Sequence, residues 1–133
     1  MFNRYEIMVL TKHLRKICKE EFEKDVEGVS AWIANAKLKA YNHAQEHLHE
    51  VYLSGPSIFT SIRLRKKAAY LTALAEHDRK TAAIYSERKQ TGASITYSAS
   101  ADAYSYAAEE TWKLYYRTIC GRISRICFDL LNT

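Results

Sequence analysis

Hydrophobic positions recur every three or four residues along most of the chain, which is the spacing of one face of an α-helix. Four segments with this pattern follow one another, at about 2–25, 30–53, 56–89 and 94–131. The stretches between them contain Gly, Pro or Ser, the residue types that end one helix and start the next. The pattern therefore predicts four helices joined by short connections.

The last segment has the most regular pattern. Its apolar stripe advances by four, three and four residues, three times over: Tyr97, Ala101, Tyr104, Ala108, Trp112, Tyr115, Ile119, Ile123, Ile126 and Leu130. An eleven-residue period lies close to the pitch of a straight helix, so we expect this stripe to be the spine of the core. Residues 95–101 also alternate like a weak strand. The sequence therefore leaves open whether the helix begins at about Ser94 or only near Ser98 or Ser100, either of which can cap it.

The third segment is apolar on two faces. The first face carries Leu64, Ala68, Leu71, Ala75, Asp78, Ala82 and Tyr85, and the second carries Ile58, Phe59, Ile62, Ala69 and Ala73. A helix with two apolar faces is expected to contact two neighbours, as in a bundle. We predict an all-α fold, an antiparallel bundle of about four helices with the last the longest, forming a single helical domain over 1–133. A second copy of the chain is an alternative partner for such faces, which would give a homo-oligomer.

Composition agrees with this fold. Only 4 Gly and 1 Pro occur in 133 residues, so helix breakers are few, and 47% of the residues are hydrophobic. No stretch approaches the roughly 20 apolar residues of a membrane span, and the apolar run at 7–10 is too short for the core of a signal peptide. Three cysteines are an odd number that does not indicate a disulfide framework. We expect a cytoplasmic protein with no membrane partner.

Two histidines in the second segment are the candidate metal ligands. His43 and His47 are four residues apart and share a helix face, with Glu50 one turn further on. Di-iron bundles, however, need two Glu-x-x-His elements, and this chain contains one, at Glu46 and His49. The sequence favours a solvated polar helix edge with His47 half-buried and no cofactor. A metal-binding helical bundle is the second alternative function.

Two basic clusters are candidates for phosphate binding. They comprise Arg63, Arg65, Lys66 and Lys67 in the third segment, and Arg117, Arg122 and Arg125 in the fourth. The net charge is +5, from 20 cations and 15 anions. Phosphate binding needs several cations on one surface, and on a helix the first cluster spreads over more than one face. A nucleic-acid-binding protein that uses residues 63–67 and 117–125 is the first alternative function.

The chain has ten tyrosines, five of them in the last segment. Tyrosine is enriched at protein interfaces because its ring is amphipathic and costs little entropy to order. Tyr97, Tyr104 and Tyr115 lie on the apolar stripe and are expected in the core. Tyr106 and Tyr116 lie beside it, and we predict that they contact a partner.

Strong catalytic motifs are missing from the sequence. It contains neither a glycine-rich phosphate loop followed by Lys nor a G-x-S-x-G elbow, and we predict a protein that is not an enzyme. The first hypothesis is a small interaction module, an inhibitor, immunity-type or regulatory protein that acts by binding a partner protein. Small inhibitory or accessory proteins of phages and mobile elements have this profile.

Overall fold

The computed structural model describes residues 4–23, 28–54 and 59–131, and the side chains over 5–20, 31–54 and 59–119. These residues form four helices: α1 (Arg4–Glu23), α2 (Val29–Leu53), α3 (Thr60–Glu87) and α4 (Thr91–Leu131). The last helix is the longest, at 41 residues. The predicted all-α bundle of four helices is confirmed.

The first two helices form an antiparallel hairpin. Nε of Arg15 donates to Oε1 of Gln45 at 2.8 Å, and Cys18, further along α1, lies against the carbonyl of the earlier residue Leu38. Gly28 precedes α2 with a φ of 64°, in the left-handed region that favours glycine. Its carbonyl accepts from backbone N–H groups of the first turn of α2.

The last two helices form a second antiparallel hairpin. The hydroxyl of Ser94 donates to the carbonyl of Ala82 at 3.0 Å near the turn. Farther from the turn, Nε1 of Trp112 donates to Oγ1 of Thr72 at 3.1 Å. These contacts hold α3 and α4 together over most of the length of α3.

The structure decides the start of α4, which the sequence left open. The helix begins at Thr91, three residues before the predicted start at about Ser94, and residues 95–101 are helical. Packing favours the helix here, because Tyr97 stacks on Tyr85 of α3 with ring centroids 5.5 Å apart. Tertiary contacts thus override the local alternation of this stretch.

Helices α2 and α4 lie side by side in the middle of the bundle and run parallel. Trp32 of α2 lies against Gly92 of α4, and about three turns further along both helices His43 contacts Tyr104. Helices α1 and α3 flank this central pair, and no Cα atoms of α1 and α3 lie within 8 Å of each other in the described part of the chain. Buried alanines at 36, 40 and 44 of α2 and at 99, 103 and 107 of α4 let the central helices approach closely.

The core is only partly the one predicted. On the stripe of α4, Ala101 and Ala108 are buried, whereas the aromatic residues from Tyr97 to Tyr115 are half-buried. A second, unpredicted stripe is buried more completely: Ala103, Ala107, Thr111, Leu114 and Thr118. Because α4 contacts α1, α2 and α3, it needs two buried faces, and the predicted stripe is only one of them.

The second apolar face of α3 is not covered. Phe59, Ile62, Ala69 and Ala73 are exposed, and Ile58 lies outside the described residues. As expected, α3 contacts two neighbouring helices, α4 and α2, but neither covers this second face, and α1 packs on α2 and does not reach α3. Over the ranges that the structure describes, no helix combines the length and apolarity needed to cross a membrane.

Candidate functional site

The first basic cluster divides between solvent and the bundle. Arg63, Arg65 and Lys66 are exposed on α3. The side chain of Lys67 is 23% exposed, and its Nζ lies 2.8 Å from Oε2 of Glu50 on α2. Lys67 therefore belongs to a contact between α2 and α3 and adds little charge to the surface of its neighbours.

The second basic cluster is described only at Arg117. This side chain is exposed and lines a groove between α1 and α4, whereas α3 packs on the Trp112 side of α4. Arg122 and Arg125 lie outside the described side chains. The described cations of the two clusters therefore face different surfaces of the molecule.

The two tyrosines predicted to contact a partner have different environments. Tyr116 is 58% exposed, and its ring stacks on Trp112 with centroids 5.9 Å apart. Tyr106 is half-buried, packs edge-to-face on Tyr41, and has its hydroxyl 2.8 Å from Nε2 of His13 on α1. Tyr116 is thus available at the surface, whereas Tyr106 supports the contact between α1 and α4.

The groove between α1 and α4, here called the α1–α4 groove, has a volume of about 490 Å³. It is lined by Tyr5, Glu6, Val9, Leu10, His13, Glu110 and Arg117. Tyr5 and Val9 are large hydrophobic residues on the exposed side of α1, at 63% and 46% exposure. The groove combines apolar side chains with charges of both signs.

Two polar groups that contact the lining of this groove, the hydroxyl of Tyr106 and the ammonium of Lys113, have raised pKa values. Burial, and then the nearby carboxylate of Glu110, raise the pKa of the Tyr106 hydroxyl, so that it keeps its proton near His13. The ammonium of Lys113 lies 3.3 Å from Glu110, and this hydrogen bond raises the pKa of Lys113. The neutral phenol of Tyr106 and the ammonium of Lys113 thus lie next to the groove, whose own lining carries Glu6, Glu110 and Arg117.

A second polar site lies where α2, α3 and α4 meet, and we call it the histidine cluster: His43, His47, Glu50, Lys67 and Tyr104. The Nε2 atoms of the two histidines are 3.0 Å apart. Nδ1 of His47 lies 2.7 Å from Nζ of Lys67, and Nδ1 of His43 lies 2.8 Å from the hydroxyl of Tyr104. The ring of Tyr70 covers His47, with centroids 4.8 Å apart.

The donors and acceptors of this cluster follow from Lys67. Its ammonium can only donate, so Nδ1 of His47 accepts and the proton of this imidazole lies on Nε2. That N–H donates to Nε2 of His43, whose own proton lies on Nδ1 and donates to the oxygen of Tyr104. Both imidazoles are neutral in this arrangement, which links three helices in one chain of hydrogen bonds.

Burial and charge both favour these protonation states. The pKa of His47 is lowered, first by burial and then by the charge of Lys67. The hydrogen bond from Lys67 lowers the pKa of Glu50, which stays ionised. Burial, and then Asp78, raise the pKa of Tyr104, which therefore stays protonated.

The hydrogen bonds of His47 also argue against the metal-binding alternative. A histidine that binds a metal through Nε2 carries its proton on Nδ1 and donates it to an acceptor. At His47 that acceptor position is occupied by the ammonium of Lys67, which cannot accept. Among the residues that the structure describes, no three His, Cys, Asp or Glu side chains are grouped so that they could hold a metal ion.

The sequence singled out part of each site. His43, His47, Glu50 and Lys67 were separate candidates, for metal and for phosphate, and the structure joins them in one cluster. Tyr104 was expected only as a core residue, and Tyr5, Val9 and His13 were not candidates. The position of these residues in the sequence was the signal that could have joined them. His47 precedes the buried Leu48 and Lys67 precedes the buried Ala68, so each lies at the edge of a stripe that faces the core.

Comparison with protein-family models, with curated proteins and with solved structures finds no match to this chain.

Proposed function

We propose that this protein is a small non-enzymatic interaction module of the cytoplasm. It binds one partner protein and acts as an inhibitor, an immunity-type protein or a regulator. The observation that carries the proposal is the α1–α4 groove. This open groove has a volume of about 490 Å³, and its lining combines apolar side chains with charges of both signs.

The groove has the chemistry of a protein-binding surface. An amphipathic helix can place apolar side chains between two helices and match the charges at the rim. Val9 and Tyr5 would contact the apolar face of the partner, while Glu6, Glu110 and Arg117 would select its charged residues. Charges of both signs suit a polypeptide better than a polyanion, which would be repelled by the two carboxylates.

The test is to isolate the partner and then to measure its affinity for purified variants. The tagged full chain is used to recover the partner from the native host, and the binary complex is then reconstituted. Val9→Glu places a charge in the α1–α4 groove, and we expect it to weaken binding at least tenfold, a loss of about 1.4 kcal/mol. Isothermal titration calorimetry measures the affinity.

Ile84→Glu is the matched control. Ile84 on α3 is 47% exposed, against 46% for Val9, and lies outside the groove. We expect this variant to bind within about twofold of the unmodified chain, since an exposed substitution away from the interface changes little. Equal affinities for the Val9 and Ile84 variants would exclude the groove as the binding site, and loss with Tyr116→Ala alone would move the site to the Trp112–Tyr116 stack.

The kind of molecule recovered from the host, protein or nucleic acid, also distinguishes the proposed function from its alternatives. Recovery of nucleic acid alone would replace the proposal by the first alternative function. Light scattering of the purified chain reports self-association, for which the exposed second face of α3 is the candidate surface. A dimer whose formation is prevented by Ile62→Glu and not by Val9→Glu would assign that face to a second copy and leave the groove for a different partner.

A further inference from the structure

Histidines take part in hydrogen bonds at all three contacts between the α1–α2 hairpin and the α3–α4 hairpin. The pairs are His13 with Tyr106 (α1–α4), His43 with Tyr104 (α2–α4) and His47 with Lys67 (α2–α3). Histidine is the side chain whose ordinary pKa lies nearest to physiological pH. The two hairpins are thus connected by groups that can change charge under mild conditions.

We propose that the His43–His47 pair is a pH-sensitive link between the two hairpins. The link is closed while the imidazole of His47 is neutral, and a proton on this imidazole opens it. Opening separates α2 from α3 and α4 and leaves the α3–α4 hairpin intact. This property is independent of the interaction function proposed above.

Hydrogen-bond geometry explains why a proton opens the link. A proton added to His47 would lie on Nδ1, where it would face the ammonium of Lys67 at 2.7 Å. A donor would then face a donor, and the contact between α2 and α3 that these two atoms make would be lost.

The charges around the pair favour the neutral, closed form. On α2 itself, Glu46 and Glu50 favour protonation of His47, but burial and Lys67 of α3 outweigh them, so that the pKa of His47 is lowered. Tyr70 of α3 faces both imidazoles, and Tyr104 of α4 faces His43.

More distant groups do not reach the pair directly. Asp78 of α3 acts on Tyr104, which stays protonated. Helix α1 packs on another face of α2, where Arg15 bonds to Gln45.

The direction of the pH effect follows from linkage. A lowered pKa of His47 means that the closed form binds the proton less tightly than the opened form, in which the imidazole regains its ordinary value of 6.5. The stabilisation is therefore fully present above pH 6.5 and is lost as the pH falls below it. The ratio of open to closed molecules rises by up to about tenfold per pH unit for each proton taken up.

The α2–α4 part of the surface that opening uncovers is rich in small residues. The facing residues of α2 and α4 include the alanines Ala40, Ala44, Ala103 and Ala107. Alanine buries less apolar area than leucine or isoleucine, so this interface gains less from the hydrophobic effect than a leucine-rich one.

The chain contains two tryptophans, and each reports on a different contact. Trp32 of α2 lies against Gly92 of α4, where a Cβ atom added to the glycine would be 3.0 Å from Cζ3 of the ring. Trp112 of α4 donates to Thr72 of α3 at 3.1 Å. The variant Trp112→Phe leaves Trp32, which reports on the contact between the two hairpins. The variant Trp32→Phe leaves Trp112, which reports on the contact within the second hairpin.

The experiment measures acrylamide quenching of each reporter between pH 7.5 and pH 5.0. Trp32 is 50% exposed in the closed form, so its quenching is already substantial at pH 7.5, and we expect it to rise further, toward that of a free indole, below pH 6.5. We expect quenching of Trp112 to stay within about 20% of its value at pH 7.5, since the α3–α4 contact contains no histidine of the cluster. Parallel changes of both tryptophans would show general unfolding and would overturn the proposal.

Variants assign the effect to the pair. His43→Gln combined with His47→Gln removes the imidazole of His47 and its hydrogen-bonded neighbour, and we expect the acid response of Trp32 to disappear. His49→Gln is the matched control, because His49 lies on the side of α2 that faces α1, beside Tyr52 and Lys12. An acid response in the double variant equal to that of the unmodified chain would overturn the proposal.

Two further measurements keep the proposal testable if the double variant does not fold. The imidazole NMR resonances of His47 in the unmodified chain should titrate below pH 6.5, and titration at or above 6.5 would contradict the proposed link. Stoichiometric Zn²⁺ that abolishes the acid response would identify the pair as a metal site and would also overturn the proposal.

Discussion

Asp78 shows how one buried polar residue is accommodated in this bundle. It occupies a position of the core-facing stripe of α3 and is 9% exposed. A buried carboxylate is costly unless it is hydrogen-bonded, and Oδ2 of Asp78 accepts from the hydroxyl of Ser100 at 2.6 Å. Ser100, which the sequence suggested as a helix cap, is instead a mid-helix partner of this carboxylate.

Replacement of Ser100 by Ala should destabilise the protein. Loss of a hydrogen bond to a buried charged group lowers the free energy of unfolding by about 1–3 kcal/mol. Ser98→Ala is the control, because Ser98 is exposed on the same helix, and its effect should be within about 0.5 kcal/mol. Chemical denaturation followed by circular dichroism measures both, and equal effects of the two variants would show that the Ser100–Asp78 bond contributes nothing.

At the scale of elements, the connection between α3 and α4 is a tight helix end with an unusual residue. The N–H of Gln90 bonds to the carbonyl of Tyr85, and the N–H of Lys89 bonds to that of Ser86. This pair of bonds is the Schellman motif, which places the residue after the cap in the left-handed region and usually uses glycine there. Here that residue is Lys89, with a φ of 59°.

Lys89→Gly should therefore stabilise the protein. Glycine adopts a positive φ without the steric cost of a Cβ atom, but it also loses more conformational entropy on folding than lysine does. After this entropy cost is subtracted, we expect the free energy of unfolding to rise by about 0.5–1 kcal/mol. Arg88→Gly is the control, because Arg88 has an ordinary φ of −80°, and it should lower stability by a similar amount. Thermal and chemical unfolding give the two values. A destabilising Lys89→Gly would show that the side chain of Lys89 contributes more than its strained backbone costs.

At the scale of the whole molecule, the net charge of +5 is not concentrated on one described surface. Arg63, Arg65 and Lys66 are exposed on α3, and Arg117 lies in the α1–α4 groove beside Glu110. Binding of a nucleic acid through phosphates requires cations that converge. Within these two clusters, only the three cations of α3 lie near enough in sequence to contact one strand together.

This distribution limits the salt dependence of any binding to DNA or RNA. Three phosphate contacts give a slope of log K against log salt of about −3 for duplex DNA, with weak binding at 200 mM salt. Fluorescence anisotropy over 50–200 mM salt measures the slope, and Arg65→Ala should reduce it by about one. A slope of about −6 or steeper would require a much larger basic surface and would support the nucleic-acid-binding alternative.

The sequence predicted the elements well because helix formation depends on local information. Apolar spacing and the scarcity of Gly and Pro indicated four helices, and the predicted 30–53 differs by one residue from the observed Val29–Leu53. The sequence left the conformation of residues 95–101 open, because stacking of Tyr97 on Tyr85 joins residues of different helices. No pattern within 95–101 contains that contact.

The sequence alone determined the fold class, the helical segments and the residue types available for each site. Tertiary structure decided which helices meet, and hence that α3 keeps an exposed apolar face while α4 is buried on two. It also decided that His47, a candidate metal ligand, contacts Lys67, a candidate phosphate ligand, so that the two form one cluster with Tyr104. The physical reason is that helical periodicity fixes the face on which a residue lies, whereas the partner of that face depends on packing between helices distant in the chain.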